Sequence, residues 1–573
     1  MKDNMFKAIL FDTRSIQNYI YSGNRLRTNI GASYIVDRIF FDTLVEGTLK
    51  KMFPDDDFST AEDTTWDHEK DGEKSWDSMK ECCVAYIGGG NALILLNESK
   101  SYQDAVAVVK DFTLNLLATR PGLKVGAAIG DLSITDGKLD MSPLYAKLKK
   151  NQSTVFPAVN VPYTGLTLSC EINGEAANFC DTKNIVNPES SGDIRFYSQE
   201  TAVKSNMAKK ANEDLKRRFD KIFELKKSAV RMANYEFPLS VNELGQKDGE
   251  NYFSVIHVDG NNMGVKFRGC DNLSDRRRLS REIKRKTEGA FADLLLKIIA
   301  AKDSGIFDDC LTFTEITKNI LPIRPLIIGG DDVTFVCPAN MAILFTKTLM
   351  EILNDVTPEN TAEHLTQESS RQMDCCAGVA ILPTAYPFFR GYELAEQLCD
   401  AAKKSMRDFA KNKKTPNEDL PVKSSWLDYA ILHGEQAPTL EQIRERSYSG
   451  VRGSLHFGPY RVANEDAQNT AERRKNIENL LACTTQFPHL MGQGKYKELR
   501  DVLQRGKDDT AKYLQQLKRL NIKLPAVPDW DFLKSEDNLL WTVSDEPQTP
   551  YVDAIELIDF YVPEVVEKWQ SLT

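Results

Sequence analysis

The sequence predicts an α+β protein built on two ferredoxin-like sheets, and three features of its 573 residues predict it. First, an apolar strand ending in an acid occurs twice, as Phe6-Lys7-Ala8-Ile9-Leu10-Phe11-Asp12 and as Phe253-Ser254-Val255-Ile256-His257-Val258-Asp259. Second, each copy is followed by helical pattern and then by a Gly-rich turn between apolar strands. The turn is Gly88-Gly89-Gly90-Asn91 ahead of Ala92–Leu96 in one copy, and Gly329-Gly330-Asp331-Asp332 ahead of Val333–Val336 in the other. Acid and first glycine stand 76 residues apart in the first copy and 70 in the second. Third, a further apolar strand follows in both, Val125–Ile129 and Ala377–Ile381. The order strand, helices, strand-turn-strand, helix, strand fits a sheet packed by helices on one side. Such a duplication has to be found before anything else, because a missed repeat misreads the whole fold.

Taken in chain order, the first palm-like domain is expected over residues 1–150, with the acidic stretch Asp55–Asp77 as an exposed insertion. An insert domain follows over 151–235. Its first part, 155–190, is turn-rich and holds Cys170 and Cys180, and 200–235 reads as a basic amphipathic helix. The second palm-like domain is expected over 236–425. From 426 to 573 the pattern turns helical, notably over 470–485, 494–519 and 552–570, with Leu480, Leu481, Leu499, Leu503, Leu514 and Leu517 supplying apolar faces. An all-helical C-terminal domain of this kind suits packing or partner binding.

Length alone implies about three or four domains. With 41% hydrophobic and 27% charged residues, the composition is that of a globular protein. The opening MKDNMFKAILFD lacks the layout of a signal peptide, and no apolar run approaches the ~18–20 residues of a membrane helix. The eleven scattered cysteines, several inside apolar strands, read as reduced thiols, so a cytoplasmic protein is expected. A formal charge of −10 excludes a chain that binds nucleic acid through its overall charge. Two local basic faces remain: Lys216, Arg217, Arg218, Lys221, Lys226 and Lys227, and the stretch Arg276–Lys286.

The second copy carries the residues for chemistry. Nucleotidyl transfer needs charge neutralised at a triphosphate and a hydroxyl activated for attack. Two divalent metals about 3.5–4 Å apart do both, and Mg²⁺ prefers carboxylate and water oxygens. The protein must therefore bring acids to adjoining strand ends, beside backbone that a phosphate can approach. Asp259 ends one strand, and Asp331 and Asp332 sit on a hairpin that can lie beside it. Gly329 and Gly330 permit the close approach. A Gly-Gly-Asp-Asp turn is by itself an ordinary hairpin sequence. Three further features favour a site. Asp259-Gly260-Asn261-Asn262-Met263-Gly264 follows its strand directly, with N–H groups able to wrap phosphates. Ala402-Lys403-Lys404-Ser405-Met406-Arg407 puts cations on a later helix. The paired copy has Gly90 and Asn91 in place of Asp331 and Asp332, an asymmetry that is arbitrary if the acids only form a turn but expected if they hold metal, one copy then being active and the other supportive.

At these residues the sequence resembles a known family, the large polymerase/cyclase (palm-domain) subunit of type III CRISPR effector complexes. The resemblance rests on Gly329-Gly330-Asp331-Asp332, on Asp259–Gly264 and on the Ala402-Lys403 helix. The first palm's Phe11-Asp12-Thr13-Arg14-Ser15-Ile16-Gln17-Asn18-Tyr19-Ile20, its Gly31-Ala32-Ser33 and its Gly88-Gly89-Gly90-Asn91 resemble the family as well. It covers most of the chain and implies two GGDEF/cyclase-like palm domains, a zinc-ribbon-like insert and a helical C-terminal domain. It further implies a target-RNA-activated synthase that holds two ATP molecules between its palms. A 3′-hydroxyl is joined to an α-phosphate, pyrophosphate leaves, and cyclic oligoadenylate is made. On the matching positions Asp259, Asp332 and the backbone of Gly260 would bind Mg²⁺ or Mn²⁺, with Asp331 orienting metal or the attacking hydroxyl. Asn261, Asn262, Gly329 and Gly330 would border the nucleotide, and Lys403, with Arg407 beside it, would contact a triphosphate as in the related diguanylate cyclases. The implied partners are the small helical subunit and the subunit that binds the crRNA 5′ end, with crRNA and target RNA reached through the complex.

The sequence also departs from the family. Many relatives begin with a histidine–aspartate nuclease domain, whereas here the palm strand starts near Phe6 and no His-Asp dipeptide occurs; DNase activity is not expected. Cys170 is followed at ligand spacing by Asn173 and Cys180 stands alone, so structural zinc is not expected. Asn261-Asn262 stand where many relatives show another acid. Four other readings compete. They are coupling of AMP to S-adenosylmethionine at the same metal site, a template-copying polymerase, a free-standing cyclic-dinucleotide synthase, and a non-catalytic scaffold.

Overall fold

The computed structural model describes residues 4–58, 79–135, 138–153, 165–188, 194–247, 251–268, 273–314, 317–354, 373–412, 424–434, 439–462, 470–535 and 537–572. Most of the acidic stretch Asp55–Asp77 lies outside them. The chain divides into two compact units. One comprises Met1–Ala233, Met263–Gly289 and Leu326–Asp331; the other comprises Asn234–Asn262, Ala290–Pro325 and Asp332–Thr573.

The first sheet is built from β1 (Asn4–Arg14), β2 (Cys82–Gly88), β3 (Asn91–Leu96), β4 (Lys124–Thr135) and β5 (Lys138–Leu139), in the order β2-β3-β1-β4-β5. β1 runs antiparallel to both β3 and β4, and Asp12 faces Asn91 across the β1–β3 pair. Strand alternation sends Phe6, Ala8 and Leu10 to one face, where they pack with Leu93, Leu95, Ala128, Leu132, Leu144 and Leu148. Phe11 goes to the other face, its ring 4.9 Å from Phe112 and 6.3 Å from Phe40. The longer α-helices of residues 1–233 are α1 (Leu26–Arg38), α2 (Tyr102–Thr119) and α3 (Ser142–Gln152), followed after the insert by α4 (Gln199–Leu225). Gly31 lets α1 meet α4 at close range, since a Cβ there would lie 1.7 Å from the Lys204 carbonyl oxygen. The insert itself contributes a two-stranded sheet, β6 (Phe179–Asp181) against β7 (Arg195–Tyr197).

The second sheet has the order β13-β12-β11-β8-β10-β9. Its strands are β8 (Tyr252–Gly260), β9 (Arg324–Gly329), β10 (Asp332–Pro338), β11 (Cys375–Pro383), β12 (Ser425–Ile431) and β13 (Tyr460–Val462). Within it, β9-β10-β8-β11 repeats the order β2-β3-β1-β4, with the same antiparallel pairings about the central strand. Among the described residues the α-helices between β8 and β12 are α5 (Met263–Arg268), α6 (Leu273–Asp303), α7 (Ala342–Asn354) and α8 (Phe388–Asn412). Among the described residues no helix is long and apolar enough to cross a membrane, and every described cysteine is a free thiol, buried except for Cys180.

The sequence pattern had suggested helices alone beyond residue 425, yet β12 lies parallel to β11 and β13 pairs with β12. Every residue of β12 is buried. A short run buried on both faces lacks the alternation that reveals a strand, so it was read through. The remaining C-terminal elements are α9 (Leu440–Ser447), α10 (Thr470–Arg474), α11 (Ile477–Leu490), α12 (Gln493–Arg505), α13 (Lys507–Arg519), α14 (Tyr551–Leu557) and α15 (Pro563–Gln570). The pattern over 494–519 is two helices, broken where Gly506 takes φ 110°. A buried polar network ties α14 to the sheet. Asp553 accepts from His456 Nδ1 at 2.9 Å and from the Phe457 N–H at 2.8 Å, while His456 Nε2 lies 3.1 Å from Asp428 of β12.

Candidate active site

Asp259 and Asp332 are direct partners across the β8–β10 ladder. Directly opposed residues of an antiparallel pair have Cα atoms about 4.5–5.5 Å apart, so the two carboxylates emerge side by side at the strand ends. They are held there from below by apolar strands: Val255, Ile256 and Val258 of β8 and Val333, Phe335 and Val336 of β10 are fully buried. Asp331 occupies the turn itself, after Gly330, whose φ of 63° favours glycine and beside which no atom lies within 4 Å of a would-be Cβ. Gly329 ends β9, exposed.

A cation is brought to this pair by α8. That helix lies close on β11, because Gly378 removes the side chain that would meet the Ala395 carbonyl oxygen at 1.9 Å and the Cys399 nitrogen at 2.6 Å. Cys399, Ala402 and Met406 of α8 pack with Cys376 and Trp426, the i, i+3, i+7 spacing of a buried helical stripe. This packing fixes Lys403, whose Nζ bonds Asp259 Oδ2. Burial pulls the Lys403 ammonium down, but the Asp259 carboxylate outweighs it and holds it above the ordinary lysine value. Arg407 is one turn farther on, with its side chain exposed; among the described residues no hydrogen bond or ion pair joins it to Asp259 or Asp332.

One cation does not balance the site. Burial, with Asp259 as the nearest like charge, pushes the Asp332 carboxyl up to about 8, and Asp332 Oδ1 is buried with no hydrogen-bond partner. His257, two residues before Asp259 on the same face of β8, does not remedy this. Its Nδ1 is 3.2 Å from Thr334 Oγ1 and 3.3 Å from Asp332 Oδ1, the latter without hydrogen-bond geometry. Burial pulls the imidazole below its usual value, which leaves it neutral at pH 7. Two adjacent carboxylates, one with an orphaned oxygen, thus face a shortage of positive charge. Among the described residues no group of three or more His, Cys, Asp and Glu side chains converges to cage a metal. A two-carboxylate centre nevertheless fits Mg²⁺, which is commonly held by one or two carboxylates together with substrate phosphates.

The Asn-Asn segment behaves differently from the phosphate-wrapping loop that its sequence suggests. The Asn261 backbone N–H donates to the Asp374 carbonyl at 2.7 Å and its Nδ2 to the Ser424 carbonyl at 3.2 Å. Asn261 is 4% exposed, so its amides brace the end of β8 and are spent on the fold. Asn262 adopts φ 61° and turns the chain out of the strand. Sequence reasoning quoted His257 only as part of a strand; alternation at period two, which sets 257 and 259 on one face, was the signal that would have found it.

The paired strands, the glycine hairpin and the lysine-bearing helix together define a palm domain with an acid pair at its strand ends. Residues 252–412 match the family model described as Cas10/Cmr2, second palm domain, so for this segment the resemblance read from the sequence is shown. Similar solved structures include one described as "Crystal structure of Csm1-Csm4 cassette in complex with pppApApA", at 12% identity and TM-score 0.47 over 97% of this chain and 69% of that one. Another, the same cassette in complex with AMPPNP, shows 13% identity and TM-score 0.46 over 99% and 70%. A third, Csm1 in T.onnurineus, shows 15% identity and TM-score 0.46 over 98% and 70%. No curated protein matches the chain.

Proposed function

We propose that this chain is the nucleotidyltransferase subunit of a type III CRISPR antiviral complex, activated by target RNA and making cyclic oligoadenylate from ATP. The observation that carries the reading is the register pair Asp259–Asp332, with a buried, unpartnered Asp332 oxygen beside Lys403. Mg²⁺ or Mn²⁺, when bound, neutralises the triphosphate and activates the attacking hydroxyl. Asp259, Asp332 and the Gly260 carbonyl would hold it, and Asp331 would orient the hydroxyl. Lys403 would leave Asp259 and take the triphosphate, with Arg407 available on the next turn. Gly329 and Gly330 leave room for the nucleotide to approach the hairpin, and Asn261 and Asn262 shape the opposite wall. The 3′-oxygen of one nucleotide then bonds to the α-phosphorus of another, the bond to the β-phosphate oxygen breaks, and pyrophosphate departs with those electrons.

In this reading residues 236–425 are the catalytic palm and 1–150 a supporting palm with a degenerate Gly-Gly-Gly-Asn hairpin. The insert (151–235) and the C-terminal region (426–573) would serve assembly with the small helical subunit, the subunit that binds the crRNA 5′ end, and through them crRNA and target RNA, in the cytoplasm. The test uses the assembled complex with target RNA, ATP and Mg²⁺ or Mn²⁺, with and without S-adenosylmethionine, and identifies products by mass. A cyclic oligoadenylate is the expected product; an AMP conjugate of S-adenosylmethionine would keep the site and change the product. Asp331→Ala with Asp332→Ala is expected to abolish every product while RNA binding persists, and synthesis surviving in that variant would overturn the assignment.

A further inference from the structure

Cys170 and Cys180 are the pair from which a metal-binding insert would first be read, yet the structure separates them. Cys180 lies exposed on β6, opposite Phe196 of β7. Cys170 is buried, and three other side chains gather on it. Two segments each place residues at i and i+3: Cys170 with Asn173, and Ser198 with Thr201. The Cys170 sulfur lies 3.6 Å from Thr201 Oγ1. The Ser198 hydroxyl donates to Asn173 Oδ1 at 3.1 Å and is 2.9 Å from the Thr201 hydroxyl. Each turn is closed by its own hydrogen bond. The Gly174 N–H, with φ 73°, donates to the Cys170 carbonyl at 2.8 Å, and the Thr201 N–H donates to Ser198 Oγ at 3.2 Å.

An ordinary helix N-cap explains the last of these bonds, since Ser198 precedes α4. It does not explain why a Cys-x-x-Asn turn faces that cap with its sulfur against Thr201. Two facing turns that each carry side chains at i and i+3 are the arrangement by which Cys-x-x-Cys pairs hold structural zinc. The chemistry of the donors is wrong for the metal: structural zinc takes thiolate and imidazole, and here one sulfur is joined by an amide and two hydroxyls. Those groups suit each other instead. With the single Ser198 hydroxyl proton on Asn173, the Thr201 hydroxyl is left to donate to Ser198 Oγ or to the sulfur. Burial pushes the Cys170 thiol up, but N–H groups of Ser198, Asn173 and Ile172 outweigh it and hold it below the usual thiol value. Cys170, Ser198 and Thr201 are 1%, 3% and 2% exposed, so their polar atoms would be costly if unpaired.

We infer that Cys170, Asn173, Ser198 and Thr201 occupy the four corners of a zinc-ribbon site and replace the metal with a hydrogen-bonded knot. The insert therefore folds without zinc, and its two turns are joined by hydrogen bonds. The inference does not depend on the catalytic reading.

The full-length chain tests it. The purified protein is expected to hold no stoichiometric zinc, and its Tm is expected to be the same with and without a strong chelator. A stoichiometric zinc whose removal lowers Tm would overturn the inference. The reverse experiment restores the metal site. Asn173→Cys, Ser198→Cys and Thr201→Cys combined, kept reduced, should bind one Co²⁺ per chain with the visible bands of tetrahedral thiolate ligation, and Tm should rise with metal concentration. Adding Cys170→Ser should weaken that binding about tenfold or more. A folded triple variant with no cobalt–thiolate spectrum would overturn the geometry. If the triple variant does not fold, Ser198→Ala and Thr201→Val decide separately: each should lower Tm with no rescue by zinc, and an unchanged Tm in both would remove the knot.

Discussion

The two hairpins of this protein are the same piece of architecture with different chemistry at three matched points. In the first sheet Asp12 faces Asn91 across the ladder, and in the second Asp259 faces Asp332. In the first, the helix after the fourth strand brings Gln152, whose Nε2 bonds Asp12; in the second, the corresponding helix brings Lys403 to Asp259. The turn residue before the facing position is Gly90 in one and Asp331 in the other. Asn91 settles its own amide on the Gly89 carbonyl at 3.1 Å, whereas Asp332 keeps a buried oxygen without a hydrogen bond. Burial pushes the Asp12 carboxyl up as well, offset in part by Gln152 and Arg14. No buried side-chain atom of Asp12 or Asn91 lacks a hydrogen bond, so the first hairpin is closer to electrostatic completion than the second. An unfinished site is what a cation or a phosphate-bearing ligand can complete.

The largest effect should come from the acids. If the proposed function holds, Asp259→Ala or Asp332→Ala removes an interaction worth several kcal/mol in metal-assisted transfer, and product formation by the assembled complex should fall by about a thousandfold. Asn91→Ala in the first hairpin should change the rate by less than about tenfold, because its amide is satisfied within its own turn. Equal losses at Asn91 and Asp332, measured side by side by product yield, would break the comparison.

The glycines under the two helices give the next effect, on stability. A methyl at Gly378 meets backbone at 1.9 and 2.6 Å, and backbone cannot yield. Gly378→Ala should destabilise the chain by about 1–3 kcal/mol, the usual cost of overpacking, and should lower activity by displacing Lys403. A methyl at Gly126 meets the Gln152 Cγ at 2.8 Å, a side chain that can turn aside only by giving up its bond to Asp12, so Gly126→Ala should cost less than Gly378→Ala, about 1 kcal/mol. Denaturant midpoints of the two variants check the order.

Much of this could be read from the chain alone, and the reasons for the exceptions are physical. Both copies of the central strand and both hairpins were legible because an apolar run ending in an acid, followed by a glycine turn, leaves few arrangements. The same pattern put the hairpin of Asp331 and Asp332 beside Asp259, but which of the two faces Asp259 is set by the strand register. The strand β12 escaped because Trp426–Ile431 is buried on both faces and shows no alternation. Lys403 was read as a phosphate contact, while its bond to Asp259 depends on how closely α8 approaches β11, which is set by a glycine in another element. The knot at Cys170 was out of reach, because Ser198 and Thr201 carry no signal until the fold sets them opposite a cysteine.

Lys403→Gln copies the first sheet's Gln152 into the second and should act on substrate more than on chemistry. If Lys403 moves to a triphosphate, the variant should raise KM for ATP about tenfold or more while kcat changes less, since a charge-assisted contact is worth about 1.5–3 kcal/mol. A loss confined to kcat would mean that the lysine serves only to hold Asp259.

The smallest effect is on stability against pH in the metal-free chain. Asp332 titrates near 8 in the fold, against an ordinary carboxyl value of 3.8. Between those values the folded chain retains a proton that the unfolded chain has released, so stability must decline as pH rises through that window. At most one proton per chain is involved, and about a third of the side chain is exposed, which keeps the slope shallow. Asp332→Asn removes the titration and should flatten the decline, raising Tm at pH 7 while leaving it nearly unchanged at pH 4. Mg²⁺ should flatten it in the native chain as well, because binding favours the ionised carboxylate. Asn91→Asp provides the reciprocal case, creating in the first hairpin the carboxylate pair that the second already has, and should steepen the same decline. A pH profile of Tm indifferent to all three changes would mean that the second hairpin is as electrostatically complete as the first.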